Sequence, residues 1–356
     1  MAGSPEAPDA GGAAPAARRR RRPFRAVLLL FATLVVLASA ALVGAYLWGL
    51  DLYQRPGPLT DETAVVVPRG SGLSAIAQRL EREGVISDAR LFALAAKIED
   101  QAGNLKAGEY LFPAAVSMQQ VLALLVEGRT VQHRITVPEG RTSWEVVQLI
   151  NADPVLEGPP LESLPPEGSL LPDTYFFQRG ETRAGLLQRM RDAQEAALAE
   201  LWPTREPDLP FDTPEEWITL ASIVEKETGL AGERALVAGV FVNRLKRGMR
   251  LQSDPTVIYA VTKGVGGPLG RGIRRSELDS GDPYNTYAVA GLPPGPIANP
   301  GREALAATIR PEGTDFLYFV ADGTGGHAFS KTLAEHQRKV RDWRRIERQR
   351  QQEAGE

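Results

Sequence analysis

The 356-residue chain contains no cysteine, which excludes disulfides, cysteine-ligated zinc and a thiol nucleophile, and is compatible with either side of a membrane. Histidine is almost as scarce. His133, His327 and His336 are the whole set and are not spaced as ligands, so no metal site is expected, and the acid chemistry read below needs no cofactor. A formal net charge of −3 provides no basic surplus of the kind that holds nucleic acid.

What the chain does have is apolar content, 43% of its residues, enough for two folded units with attachments. Residues 1–22 are rich in Ala, Gly and Pro and close in Arg18–Arg22; such a segment buries too little surface to order itself, so a disordered basic tail is expected over 1–25. Ala26–Leu50 is uncharged and rich in Leu, Val and Ala, longer than the roughly 20 residues that cross a bilayer core. Tyr46 and Trp48 stand near its far end, where interfacial aromatics sit, and the arginines before it place the N-terminus in the cytoplasm. A cleaved signal peptide is the rival. Its apolar region would be shorter and end in a small-residue site, whereas Ala38–Ala41 fall mid-span.

After a Pro/Gly tether over 51–62, Val65–Gly70 and Leu73–Leu80 predict a strand, a Pro-x-Gly turn and an amphipathic helix. Ile135–Gly140 with Trp144–Ile150 repeats the layout: aligning Pro68 with Pro138 also pairs Gly70 with Gly140 and Gln78 with Gln148. Gly108–Pro113 with Met118–Leu125 forms a degenerate third copy. A small α+β unit over 63–134 resembles a LysM-like module, a fold associated with polymers containing N-acetylglucosamine. An architectural role is the alternative, because a fold does not fix a function.

Near the middle, Trp217, Leu220, Ala221, Ile223 and Val224 form a helical stripe. Thr213, Pro214 and Glu216 signal its start, and Gly229 its stop. Glu225 and Glu227 arrive where the stripe ends, although carboxylates favour the opposite helix terminus. Glu227 falls on the flank of Ile223 and Leu220, and Glu225 on the other, beside Ala221 and Ile218. A carboxyl among apolar neighbours is desolvated and stays protonated near neutral pH, as a general acid at a glycosidic oxygen requires. Glu-Lys-Glu on a helix is also an ordinary solvated face.

Three downstream clusters combine amides, tyrosines and charges on Gly/Pro-stiffened loops suited to a carbohydrate groove: Asn243–Tyr259, Tyr284–Gly301 and Tyr318–Phe329. Gln252, Asp254, Tyr284, Asn285 and His327 are the candidate substrate-binding residues. For catalysis itself they are weaker candidates: Asp254 reads rather as the cap of a helix beginning at Pro255, and His327 as a loop histidine making one hydrogen bond.

Ala221–Thr228, Asn243–Leu245, Met249–Thr256, Tyr284–Tyr287, Gly291–Gly295 and Gly325–His327 together resemble the YceG-like endolytic murein transglycosylases, the MltG family. The resemblance covers nearly everything from the apolar span to about residue 340. It implies an α+β protein of the bacterial inner membrane: one transmembrane helix at 26–50, a LysM-like domain at 63–134, a mixed α/β catalytic domain at 135–340 with its acid at a helix end, and a charged tail at 341–356. The substrate would be peptidoglycan glycan strands, cut internally to leave 1,6-anhydro-muramyl ends, with peptidoglycan synthases as partners. Ile223–Thr228 further resembles the apolar-apolar-x-x-Glu-Ser pattern of other lytic transglycosylases, which implies Glu227 as the catalytic residue, with Glu225 the alternative. A hydrolytic muramidase and a non-enzymatic wall-binding scaffold are the rival functions.

Overall fold

The computed structural model describes residues 22–353; most of the expected N-terminal tail and the last three residues lie outside the described residues. The chain divides into two compact units at residues 129/130.

In the first unit, α1 (Arg22–Gln54) is a 33-residue helix. It is long and apolar enough to cross a membrane, and its large apolar side chains from Val27 to Trp48 are exposed. It runs past the expected end at Leu50 because Tyr53 is buried in the apolar cluster of this unit. The tether is likewise bonded at 3.2 Å from Gly57 N–H to the Ala115 carbonyl, and at 2.8 Å from Ala115 N–H to the Leu59 carbonyl. Then follow β1 (Thr63–Val67), α2 (Leu73–Arg82), α3 (Ala89–Ile98), β2 (Gly108–Phe112) and α4 (Met118–Glu127). β1 and β2 pair antiparallel, from Thr63 opposite Phe112 to Val67 opposite Gly108. Val65 and Val67 point inward on the two-residue period of a half-buried strand. They meet Leu80, Phe92, Tyr110, Phe112, Leu122 and Leu125.

In the second unit, β3 (His133–Thr136) precedes α5 (Ser143–Ala152) and pairs antiparallel with β4 (Thr174–Phe177). The expected boundary at 134/135 therefore falls inside β3. All three strand–turn–helix copies form, as β1–α2, β2–α4 and β3–α5. The aligned Gly70 and Gly140 both have left-handed backbone, φ +78° and +72°, which glycine adopts without strain.

Helix α6 (Arg183–Leu201) is capped by Thr182, whose Oγ1 accepts the Gly185 N–H at 3.0 Å. After it come α7 (Pro214–Glu227), α8 (Arg234–Lys246), α9 (Asp254–Thr262), the single turn α10 (Arg275–Leu278) and α11 (Arg302–Ile309). The hairpin β5 (Tyr318–Ala321) and β6 (His327–Ser330) leads into α12 (Leu333–Glu353). The charged C-terminal stretch is thus a helix, and its Trp343 and Ile346 lie over Gly323 in the hairpin turn. Helix α7 packs between α8 and α11. The buried Trp217 ring anchors it, its Nε1–H donating to the Leu305 carbonyl at 3.0 Å and to Thr308 Oγ1 at 2.9 Å.

Candidate active site

Helix α7 is built to hold its last turn still. At its start Thr213 Oγ1 accepts the Glu216 N–H at 3.2 Å, while Glu216 Oε2 accepts the Thr213 N–H at 3.3 Å, a reciprocal capping box. Trp217, Leu220, Ala221, Ile223 and Val224 are buried, as the stripe predicts. The helix stops at Thr228, which takes extended backbone; Gly229 does not supply a left-handed cap. Both glutamates therefore sit in the final turn.

Their surroundings differ. Glu225 has a side chain only 5% exposed, with Oε1 3.8 Å from Arg234 Nη2. Its Oε2 accepts the Gly301 N–H at 3.0 Å. Gly301 is the cap residue of α11, so Glu225 satisfies a free N–H at a helix N-terminus, where a carboxylate is favoured. Burial raises its pKa and Glu139 adds to this, against the Gly301 N–H, Arg234 and Lys226.

Glu227 accepts no comparable structural bond. Burial pushes its carboxyl up to about 7, opposed by the Ser253 hydroxyl, helped by the negative charge of Asp254, and opposed again by His327 and Arg244. These neighbours come from three segments of the chain. Arg244, on α8, is locked by Nε to the Leu317 carbonyl and Nη1 to the Leu251 carbonyl, both at 2.6 Å. Ser253 Oγ is buried and makes no hydrogen bond of ordinary length and angle, yet lies close enough to the carboxyl to favour its ionised form. Asp254 receives the Tyr287 hydroxyl at 2.6 Å, and burial together with that carboxylate raises the Tyr287 pKa.

The segment 251–256 is clamped to 285–287. The Gln252 N–H donates to the Thr286 carbonyl at 3.1 Å and the Ser253 N–H to Thr286 Oγ1 at 3.0 Å. Gln252 is held in left-handed backbone, φ +53°, with its side chain exposed. Asp254 is the first residue of α9, and Ser253 occupies the cap position without a side-chain cap bond, so Asp254 is not the cap.

Asn285 is 0% exposed. Its Nδ2 donates to the carbonyls of Glu277 (3.2 Å), Leu278 (2.9 Å) and Ser280 (2.6 Å), and its Oδ1 accepts the Tyr287 N–H at 3.0 Å. Its polar groups are spent on shaping the turn. Tyr284 packs 4.8 Å from the Tyr259 ring, with Lys263 Nζ 5.3 Å from its own. His327 is the first residue of strand β6, not a loop residue. The structure thus gathers Asp254 and His327 around Glu227 and keeps the Asn285 side chain away from any ligand.

Arg244, Ser253 and Tyr287 stand within the polar motifs, but nothing in their spacing marks them as site residues. Glu233, which bonds His327, carried no sequence signal, since its partner is 94 residues away. Beside the last turn of α7, a cavity of about 280 Å³ is lined by Lys226, Arg141, Thr142, Tyr259, Leu269 and Ile297.

Comparison with known proteins agrees with these motifs. The model of the YceG-like family matches residues 65–342. An endolytic murein transglycosylase of Streptococcus pneumoniae (serotype 2, strain D39 / NCTC 7466) is 31% identical over 367 residues, covering 89% of this chain and 65% of its own length. One of Bacillus subtilis (strain 168) is 32% identical over 325 residues, covering 82% of this chain and 88% of its own. A crystal structure of a YceG-like protein from Listeria monocytogenes, 31% identical, covers 78% of this chain and 98% of that one with a TM-score of 0.49. The chain spans just under two thirds of the pneumococcal relative's length. With the family model matched along most of its length, the chain belongs to the YceG-like family.

Proposed function

We propose that this protein is a membrane-anchored endolytic murein transglycosylase that cleaves within peptidoglycan glycan strands. The observation that carries the proposal is the Glu227 carboxyl, half-buried at the end of α7 and raised to about 7, a poise suited to giving and retaking one proton near neutral pH. Glu227 donates that proton to the β-1,4 glycosidic oxygen between N-acetylmuramic acid and N-acetylglucosamine. The C1–O bond breaks, its electron pair staying on the leaving oxygen. The C6 hydroxyl oxygen of the muramyl residue then bonds to C1, and its proton returns to Glu227, leaving a 1,6-anhydro end and the acid regenerated.

Glu225 is assigned a structural role, because its carboxylate is already committed to Gly301 and Arg234. Gln252, Asp254, Tyr284 and His327 are the sugar-facing candidates. Asn285 acts indirectly, by setting the turn that carries Tyr287. The antiparallel β1–β2 pair with α2 and α3 between them supports a LysM-like, glycan-binding role for the first unit. Helix α1 supports single-pass anchoring in the inner membrane, with both units extracytoplasmic and within reach of peptidoglycan synthases.

The deciding experiment incubates the full chain, in detergent, with purified glycan strands and identifies the new ends by mass spectrometry. Anhydro ends that vanish in Glu227→Gln are expected. Reducing ends instead would make the enzyme a hydrolase with Asp254 assisting water, and no shortening at all would make it a wall-binding scaffold.

A further inference from the structure

Among the groups around Glu227, His327 is held at both its backbone and its ring by one other side chain. Both oxygens of a single carboxylate hold it. Glu233 Oε1 accepts the His327 backbone N–H at 2.9 Å, and Glu233 Oε2 lies 2.7 Å from the ring Nδ1. The pair is largely withdrawn from solvent, the side chains being 17% and 20% exposed. Phe319 meets the imidazole edge-on, with centroids 5.3 Å apart at 87°, and Phe329 stands 6.3 Å away at 61°.

The chain makes room for this contact. A Cβ on Gly326 would come within 2.6 Å of Glu233 Oε1, so a side chain there would push the carboxylate out of its present position. Glu233 stands at the N-cap position of α8 yet makes no side-chain cap bond there. Its carboxylate is turned to the histidine instead.

We propose that Glu233 is a positioning residue of the active site, acting through His327: it holds the proton on Nδ1 and leaves Nε2 as the ring nitrogen offered to the sugar beside Glu227. The chemistry follows from what each atom can do. A carboxylate only accepts, so the Nδ1 it bonds must carry the hydrogen. Nε2 is then an acceptor in the neutral ring and a donor in the imidazolium, and one carboxylate stabilises both the tautomer and the charged form. The charged groups facing His327 are Glu233 itself, Glu227, on whose proton affinity the ring acts, and Asp322 from the hairpin turn. A ring free to flip would offer the wrong nitrogen for part of the time. Glu233 removes that freedom.

Resting as it does on Glu227 being the acid, the role of Glu233 is tested with one readout independent of activity. In the full chain in detergent micelles, ring ¹⁵N chemical shifts of the three histidines are recorded for the wild type, Glu227→Gln and Glu233→Gln. The Nδ1–H tautomer is expected for His327 in the first two and a mixture of tautomers in the third; an Nε2–H ring in the wild-type protein overturns the proposal without any variant. For kinetics, Glu233→Gln is expected to lower kcat about a hundredfold with KM changed less than about twofold. In a His327→Ala background the same substitution is expected to cost nothing further. Losses that multiply in the double variant, or a Glu233→Gln enzyme as active as the wild type, would refute it. A fully active Glu227→Gln enzyme sinks the assignment of the acid instead, while the tautomer still decides the role of Glu233.

Discussion

At the scale of single residues, Glu225 and Glu227 show how two carboxyls two positions apart acquire different work. Glu225 is consumed by the α11 N-terminus and Arg234, so Glu225→Ala is expected to lower stability by about 1–3 kcal/mol, seen as a lower midpoint in urea unfolding. Glu227→Gln should leave that midpoint nearly unchanged and abolish strand cleavage. Because Glu227 must be protonated to act as the proposed acid, activity is expected to fall as pH rises through about 7. Of the groups acting on Glu227, His327, Arg244 and Ser253 lower its proton affinity and Asp254 raises it. In pH–rate profiles, His327→Ala should move the fall to higher pH and Asp254→Asn to lower pH.

The same residue scale carries a stability effect. Glu167, whose Oε2 accepts the Ser143 N–H at 2.9 Å, is pushed by burial up to about 7. A carboxyl with a folded-state pKa above its unfolded value contributes stability that is complete below about 4.5 and lost as pH rises towards 7. Glu167→Gln keeps the acceptor and loses the charge. It is expected to match the wild type at pH 4 and to exceed it by about 1–3 kcal/mol at pH 8, measured by paired urea titrations.

At the scale of elements, what counts is how a helix or loop is pinned. Gly168 has left-handed backbone, φ +75°, and a Cβ there would lie 2.5 Å from Ile218 Cγ2 and 2.8 Å from Pro296 Cγ. It seats the 166–171 segment against α7 and the Pro293–Pro296 loop. Gly168→Ala is therefore expected to lower the unfolding midpoint by the equivalent of about 2–4 kcal/mol, from backbone strain together with overpacking. Gln252 is the converse case, a non-glycine residue at φ +53° with its side chain free. Gln252→Gly should change stability by less than about 1 kcal/mol while reducing turnover, a separation expected only if the side chain meets substrate.

Across the whole molecule, each unit carries its own apolar clusters. Val65, Leu80, Phe92 and Phe112 belong to the first unit, and Trp217, Val237 and Leu305, with Val146 and Leu186, to the second. Phe92→Ala, which deletes a side chain with no exposure, is expected to cost the first unit about 3–5 kcal/mol and to split calorimetric unfolding into two transitions, leaving the later one in place. Helix α1 predicts that the full chain partitions into membranes and resists extraction by salt and alkali. A fragment beginning at Asp61 should fractionate as soluble, since the exposed apolar helix is gone.

Local chemistry alone determined much of this protein. The apolar stripe of α7, its capping box, the apolar span and the three strand–turn–helix copies follow from side-chain periodicity and from short-range bonds between neighbours in the chain. The ordered motifs were likewise enough to reveal the family. Tertiary structure alone decided which strands pair, that Glu225 rather than Glu227 meets Gly301, that the Asn285 amide is used up inside its own turn, and that Glu233 finds His327. The Glu225 and Glu233 contacts depend on groups 76 and 94 positions apart arriving within hydrogen-bond distance, and the Asn285 turn on the loop around it closing, together with the water lost on the way. Neither a carboxyl's partners nor its desolvation is written in the residues beside it.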